Sequence, residues 1–308
     1  MMKEFTIKEL LPVEGLITKI WSMFDILKRE GISLVDYHIL LLLLSSYKDG
    51  LFNKDLFNEN ESLKDRLVRC WEDSENELAA KYKEILIEYL PIVKQLSEDG
   101  IKQILRALLK LNLAILNEHF ADIFDAVLYR ITQSQGRFGG EFIQPVELTR
   151  FIFGLAELQP NSKVYNPFAG LASFGVYLDQ GQDYFGQELN HKVWALGALR
   201  IMAYQRPGTS RYVCDDAITH WPATSEKFDL IVANPPYGMR LGSQYREIEP
   251  EFHTIEQFLL EKGVHSLSEN GKLIAIMSEG MLFRGSHDER LRTFLVEQDL
   301  IDSIISLP

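Results

Sequence analysis

The sequence predicts an α/β protein in which an all-helical N-terminal domain precedes a parallel sheet. Apolar residues in the first 130 positions recur at three- and four-residue steps, the periodicity of amphipathic helices. Beyond a glycine cluster at positions 136–140, short apolar runs alternate with amphipathic stretches, as they do in βαβ units. The 308 residues are 46% hydrophobic, which is enough for a large core. We therefore predict a helical domain over residues 1–130 and an α/β domain over residues 131–308.

Four helices are expected in the N-terminal domain. In the first, Leu16, Ile20, Phe24 and Leu27 fall on one face, and Gly31 follows as a stop signal. The others are predicted over residues 36–47, over 78–96 with a bend or break at Pro91, and over 101–118.

The α/β domain contains six apolar runs with the length of strands, most of them separated by helical patterns. Because the sequence ends directly after the last run, we expect this domain to be truncated at its C-terminus. The predicted strands are Lys163–Asn166, Asp183–Gln187, Arg211–Val213, Phe228–Ala233, Lys272–Ser278 and Leu300–Ser306.

Composition excludes several classes of protein. A net charge of −12 argues against a stand-alone nucleic-acid binder, although a partner subunit can supply the basic surface. The two cysteines, Cys70 and Cys214, form neither a metal-ligand spacing nor a disulfide framework, so we predict no metal site and a reducing, cytoplasmic setting. No N-terminal signal is visible, and the apolar run at residues 39–44 is far shorter than the ~20 residues that span a bilayer, so no membrane association is expected.

The most informative motif is Asn234-Pro235-Pro236-Tyr237, which directly follows the predicted strand Phe228–Ala233. Proline cannot continue a central strand, so the chain must leave the sheet at this point. The motif places a carboxamide, a rigid pair of backbone carbonyls and an aromatic ring at the carboxyl end of a strand, where open α/β sheets bind ligands. These groups suit a flat molecule that carries an amine.

A second motif spans residues 164–174, where a strand leads into a turn of small residues and then a helix. Gly170 and Ala172 permit close approach of a ligand, and the following helix begins with free amides. The turn lacks the full three-glycine fingerprint and has no P-loop lysine, which argues against triphosphate binding. An ordinary βα turn is the alternative.

Acidic residues follow the next two predicted strands. Glu188 can accept hydrogen bonds from ribose hydroxyls, or it can be a solvated acid in the first turn of a helix. After the third strand, Asp216, or its competitor Asp215, can bind the amino group of an adenine, or it can cap a helix. Taken together, the motifs predict a ligand that contains ribose and adenine.

These motifs resemble those of the modification subunits of type I restriction-modification systems, a family of N6-adenine DNA methyltransferases. Residues 234–237 resemble the family's catalytic Asp/Asn-Pro-Pro-Phe/Tyr motif, and residues 166–174 resemble its D-P-x-x-G-x-G-x-F cofactor motif. Residues 140–145 resemble the G-x-F/Y-F/Y-T-P element that closes over S-adenosylmethionine. Similarity extends over nearly the whole chain, including residues 20–28, 37–44, 280–285 and 300–308.

The resemblance implies a Rossmann-like, S-adenosylmethionine-dependent methyltransferase sheet and assigns its site residues. The catalytic residues are Asn234, Pro235, Pro236 and Tyr237. The residues that bind S-adenosylmethionine are Gly140, Glu141, Phe142, Ile143, Gln144, Pro145, Asn166, Pro167, Phe168, Gly170, Leu171, Ala172, Ser173, Glu188 and Asp216.

Three positions depart from the family pattern, and all three fall on the cofactor motifs. Asn166 replaces an acid, Ala172 replaces the second glycine, and Gln144 replaces a threonine. A lost charge or an added methyl group is expected to weaken cofactor binding by ~1 kcal/mol each.

The implied function is methyl transfer from S-adenosylmethionine to adenine N6 in double-stranded DNA. The implied partners are the specificity subunit and the restriction subunit of the same system, with the helical domain as a docking domain or a plain scaffold. Cytosine N4 stays open as the target atom. The alternatives are a methyltransferase that acts on an RNA base or on protein glutamine, and a non-catalytic assembly subunit with a degenerate cofactor pocket.

Overall fold

The computed structural model describes residues 7–52, 56, 61–73, 76–134, 143–179, 181–205 and 210–307, with side chains from residue 12 onward. The chain divides into two compact units. The helical unit comprises residues 1–145, 170–176 and 190–206. The sheet unit comprises residues 146–169, 177–189 and 207–308.

The helical unit is built around a central helix, Ile39–Lys48, in which residues 39–47 are all buried. A helix that is apolar all round is stable in water only when neighbours cover every face. A short 3-10 turn over Leu34–Asp36 precedes it. The other described helices of this unit are Ile7–Ser22, Phe24–Arg29, Leu63–Glu72, Glu77–Ala80, Leu86–Gln95, Glu98–Leu108, Leu113–Glu118, Phe120–Ser134, Ser173–Val176 and His191–Ala203.

Three predicted helices are each divided in the structure. The first is divided at Met23 into Ile7–Ser22 and Phe24–Arg29. The helix predicted over residues 78–96 is interrupted at 81–85, because Lys81 and Tyr82 turn to bind the Asp49 carboxylate. Pro91 lies inside the second segment, Leu86–Gln95, and does not break it.

The helix predicted over residues 101–118 is divided by Asn112. Its side-chain oxygen accepts the amides of Ala114 and Ile115, so it caps a new helix. Two further helices of this unit, Leu63–Glu72 and Phe120–Ser134, were not predicted from the sequence.

The described residues of the sheet unit form five parallel strands, which are numbered β1 to β5 along the chain and lie in the order β3-β2-β1-β4-β5. The sequence located the first four strands to within one residue at each end, because their apolar runs are short and sharply bounded. The strands are β1 (Lys163–Asn166), β2 (Asp183–Glu188), β3 (Ser210–Cys214), β4 (Phe228–Ala233) and β5 (Leu267–Ala275).

The sixth predicted strand, Leu300–Ser306, is wrong. Residues 300–307 are exposed and lie outside regular secondary structure. An extended segment becomes a strand only where a neighbour completes its hydrogen-bond ladder, and no described strand pairs with these residues.

Aromatic packing forms much of the core on one face of the sheet. The Tyr165 ring stacks on Phe185 and Phe228 at centroid distances of 5.1 Å and 4.9 Å, and it meets Trp221 edge-on at 5.1 Å. The described helices of this unit are Val146–Ala156, Ser243–Ile248, Ile255–His265 and His287–Glu297. Among the described residues, no helix is long and apolar enough to cross a membrane.

Candidate active site

The strand order places β1 and β4 side by side at the point where it reverses direction. The chain proceeds from β1 outward to β2 and β3, and it then returns to β4 on the other side of β1. Tyr165 pairs with Ile231, so Asn166 and Asn234 leave adjacent strands at the same edge. In open α/β sheets, ligands bind outside the carboxyl ends of the strands at such a switch point.

The exit of β4 presents a free carboxamide. Five of the six β4 residues are buried, Asn234 is half-buried, and Pro235 is buried again. No described residue hydrogen-bonds or ion-pairs with the Asn234 side chain. The Tyr237 ring follows and is 62% exposed. The motif therefore offers an unused amide group and an open aromatic face.

The backbone after this motif is anchored by a buried carboxylate. Gly238 has φ +64° and donates its amide to Glu256 Oε1 at 2.6 Å. The Ile255 amide donates to the Met239 carbonyl at 3.0 Å, which ties the same loop to the start of the Ile255–His265 helix. Glu256 is only 2% exposed, and its Oε2 has no partner among the described residues. Glu256 was not predicted as a site residue, although an acid among apolar neighbours in a helix is a visible signal.

Asn166, at the end of β1, is buried with one atom unsatisfied. It is 1% exposed, and its Nδ2 donates to the Tyr184 hydroxyl at 3.4 Å. Its Oδ1 has no hydrogen-bond partner among the described residues. A buried acceptor without a donor is destabilising, so this atom calls for a donor from a water molecule or a ligand. Pro167 is buried. Phe168 packs against an apolar cluster formed by Ile218, Leu241, Phe252, Ile255 and Phe258.

The acids that follow β2 and β3 have different environments. Glu188 is half-buried, and its backbone carbonyl accepts the Asp215 amide at 3.0 Å. The Asp215 carboxylate is bound by Gln187 Nε2 at 3.3 Å and by its neighbour's amide at 2.9 Å, and it lies 2.8 Å from the His220 ring. The Asp215 carboxylate thus stabilises the local structure of its own turn.

Asp216 accepts the Ile218 amide at 2.9 Å and hydrogen-bonds the Tyr245 hydroxyl. Burial, and then the Asp216 charge, raise the pKa of Tyr245. The structure therefore gives both acids internal partners, and the assignment of Asp216 to an adenine ligand stays a prediction.

The helical unit holds the predicted cofactor turn. Gly170 and Ala172 have φ values of +52° and +55°, and Leu171, Ala172 and Ser173 are buried. Arg200 Nη1 donates to the Leu171 carbonyl at 3.1 Å and to Ser173 Oγ at 3.0 Å. Arg200 was not predicted as a partner of this turn.

The predicted closing element lies only partly within the described residues. Ile143 is half-buried, Gln144 is buried and Pro145 is exposed, whereas Gly140, Glu141 and Phe142 fall outside the described residues. Among the residues that the structure describes, no group of three or more His, Cys, Asp or Glu side chains is placed to hold a metal ion.

Curated relatives share part of the chain. The type I restriction enzyme MjaIX methylase subunit of Methanocaldococcus jannaschii is 23% identical over 61% of this chain and 38% of its own length. The MpnII methylase subunit of Mycoplasma pneumoniae is 22% identical over 61% of this chain and 40% of its own length. The chain thus spans about two fifths of the length of these relatives.

Solved structures share its fold. The type I restriction-modification methyltransferase subunit of Streptococcus thermophilus superposes with a TM-score of 0.70 at 17% identity, covering 94% of this chain and 80% of that one. A modification subunit of a putative type I restriction enzyme from Vibrio vulnificus gives a TM-score of 0.65 at 12% identity, covering 92% and 75%.

A family model described as N-6 DNA Methylase matches residues 116–308, which is more than half of the chain. The match includes β1 to β5 and the Asn234–Tyr237 exit. The chain therefore belongs to the N-6 DNA methylase family.

Proposed function

We propose that this chain transfers a methyl group from S-adenosylmethionine to adenine N6 in double-stranded DNA, as the modification subunit of a type I restriction-modification complex. The observation that carries the proposal is the Asn234 carboxamide, which has no hydrogen-bond partner among the described residues and lies next to the Pro235 carbonyl at the switch point of the sheet. Family membership supports the N6 position as the target.

The side chains at the sheet edge fit S-adenosylmethionine. The unsatisfied Asn166 Oδ1 calls for a donor, which an ammonium group supplies. Glu188 is a half-buried carboxylate in the position that suits ribose hydroxyls. When bound, S-adenosylmethionine supplies an electrophilic methyl group. We assign Asn166, Glu188 and Asp216 to its binding.

Asn234 and Pro235 activate the target amine. An exocyclic adenine amine is a poor nucleophile because its lone pair is delocalised into the ring. Asn234 Oδ1 and the Pro235 carbonyl accept hydrogen bonds from its two N–H groups, which favours a tetrahedral nitrogen whose lone pair is localised and points toward the methyl donor. Methyl transfer would break the bond between the methyl group and sulfur, so that the sulfur leaves as a neutral thioether, and the proton that the amine loses passes to solvent. Positioning and electrostatics supply the catalysis, so a covalent enzyme intermediate is not needed.

Tyr237 receives the base. The target adenine must leave the duplex to enter a pocket, and methyltransferases reach it by flipping the nucleotide out. The exposed Tyr237 ring gives the flipped base a stacking surface directly after the two prolines.

In this proposal, partner subunits make most of the contacts with DNA. The net charge of −12 is unfavourable for binding phosphates alone, and the curated relatives are named as methylase subunits of type I restriction enzymes. We therefore infer assembly with a specificity subunit that reads the target sequence, and with a restriction subunit.

Two measurements test the proposal. Isothermal titration of the chain with S-adenosylmethionine should give saturable binding, and an absence of binding would favour a non-catalytic assembly subunit. Mass spectrometry of nucleosides, after incubation of DNA with the assembled complex and labelled cofactor, should then detect N6-methyladenine. Label in N4-methylcytosine, in RNA or in protein would identify a methyl acceptor other than adenine N6. The Asn234→Ala variant is the matched control for contaminating activity.

A further inference from the structure

A single buried arginine connects the turn over residues 170–173 to the N-terminal helices. Arg200 is 2% exposed. Its Nε and Nη2 bind the two carboxylate oxygens of Asp125 at 2.7 Å each, in a bidentate ion pair. Its remaining nitrogen, Nη1, donates both to the Leu171 carbonyl and to Ser173 Oγ. The Tyr204 hydroxyl braces the pair by donating to Asp125 at 2.6 Å.

Stability alone is a weak reason for this arrangement. Removing a guanidinium and a carboxylate from water is costly, and well-packed apolar side chains often serve a core equally well. The hydrogen bonds of Arg200 instead suit a role in fixing the turn, because Nη1 binds the residue before Ala172 and the residue after it.

Ala172 gives the turn a need for such a restraint. It is fully buried and adopts φ +55°, a left-handed conformation that is unfavourable for a residue with a Cβ atom. The family pattern has glycine at this position, so the added methyl group makes the required backbone shape less favourable here. Strained backbone persists only where surrounding contacts fix it.

We propose that Arg200, braced by Asp125, is a positioning residue that holds the turn in the shape that binds S-adenosylmethionine. The inference rests on the proposed function for the identity of the ligand. It adds a role for two residues outside the cofactor motifs, and it explains how the chain tolerates alanine in place of glycine.

The experiment compares Arg200→Lys, Asp125→Asn, Ala172→Gly and the double variant Arg200→Lys/Ala172→Gly with the wild type. Lysine keeps the charge but loses the fork that binds three partners. Lys192→Ala is the matched control, because Lys192 is exposed, lies on the same helix and binds a carboxylate, that of Asp36. The readouts are the Kd for S-adenosylmethionine, kcat and KM in the assembled complex, and amide hydrogen exchange of residues 170–176.

Arg200→Lys should weaken cofactor binding by ~10-fold and raise KM for the cofactor, with kcat within about twofold of wild type. Hydrogen exchange over residues 170–176 should accelerate. Glycine at position 172 adopts the left-handed shape without strain, so the double variant should recover about fivefold of the lost affinity. Asp125→Asn should act in the same direction as Arg200→Lys, and Lys192→Ala should leave every readout unchanged.

A purely structural role predicts a different outcome. If Arg200→Lys lowers the unfolding temperature but leaves the cofactor Kd within twofold, or if Ala172→Gly fails to rescue it, the inference is wrong. Should Arg200→Lys fail to fold, Asp125→Asn with and without Ala172→Gly provides the same comparison. Absence of cofactor binding in the wild type would overturn the proposed function, whereas unchanged hydrogen exchange in the variants would overturn the restraint itself.

Discussion

The backbones of two segments, residues 170–173 (the turn) and residues 234–238 (the exit), are fixed in the same way. The two segments differ in whether their polar groups are already hydrogen-bonded within the protein. Each is held by one buried charged side chain from a helix, Arg200 for the turn and Glu256 for the exit. In the turn, the Leu171 carbonyl and the Ser173 hydroxyl are occupied by that side chain. In the exit, the Asn234 carboxamide has no described partner and the Tyr237 ring is exposed.

This difference separates two tasks. A segment that contributes only a backbone shape, one that allows a ligand to approach closely, can have its polar groups hydrogen-bonded within the protein. A segment that must grip a molecule and activate it needs polar groups that are still available. Rigid backbone with unused side chains is the combination expected of a preorganised catalytic residue.

The largest expected effect comes from Asn234→Ala, which removes the unused acceptor and leaves the exit backbone intact. Methyl transfer by the assembled complex should fall by about 10²–10³-fold, while the Kd for S-adenosylmethionine stays within about twofold. Radiolabel transfer to DNA and isothermal titration measure the two quantities. Wild-type transfer in the variant would show that the amine is activated elsewhere.

Glu256→Ala tests the anchor of the exit. It leaves the Gly238 amide without its acceptor, and an unpaired group of this kind is worth about 1–3 kcal/mol. We expect a ~10-fold fall in kcat with little change in KM for the cofactor. Glu256→Gln keeps an acceptor for Gly238 and should retain activity within about threefold.

A large loss in Glu256→Gln would contradict the anchoring role. It would instead assign the unsatisfied Oε2 atom to a direct contact with substrate, because that atom is the one the amide replaces.

Tyr237→Ala tests whether the exposed ring stacks on a base. Stacking on an aromatic side chain is worth ~1–3 kcal/mol per base, so we expect about a tenfold loss in kcat/KM for DNA. Tyr237→Phe keeps the ring face and should act like wild type. Equal losses in both variants would show that the hydroxyl group, rather than the ring, makes the contact.

The smallest expected effect is that of Asn166→Asp, which restores the acid of the family pattern at the end of β1. The new charge should tighten binding of the cationic cofactor by about threefold, since hydrogen bonds to charged groups are stronger than neutral ones. Burial of a carboxylate should at the same time lower the stability of the cofactor-free protein. Titration calorimetry and urea unfolding separate the two effects, and weaker binding would place the cofactor's ammonium group away from Asn166.

The sequence was sufficient for the parts of the fold that depend on local pattern. Phe228–Ala233 is bounded by a charged segment and two prolines, and its strand has the predicted ends. Gly31 ends its helix with φ +73°, as expected of a glycine stop. The positions of Asn166, Glu188 and Asn234 at strand ends followed from the same reasoning.

Several of the errors share a physical cause, which is contact between residues distant in sequence, whereas the division at Asn112 depends on a local cap. The break at residues 81–85 depends on Asp49, and Leu300–Ser306 has no described strand beside it. The sequence pattern identifies Arg200 as an ordinary helix-surface cation, because it does not show the half-buried partner Asp125 on another helix. A periodic pattern carries no information about such partners.

The location of Asp125 has a consequence for assembly. It lies on the Phe120–Ser134 helix, and Arg200 relays its position to the backbone around Ala172. A subunit that docks on the N-terminal helices and displaces this carboxylate would alter affinity at the turn. Thermodynamic reciprocity then requires that occupancy of the turn alter the strength of docking by the same factor. One buried ion pair would thereby link the loading of methyl donor to quaternary assembly.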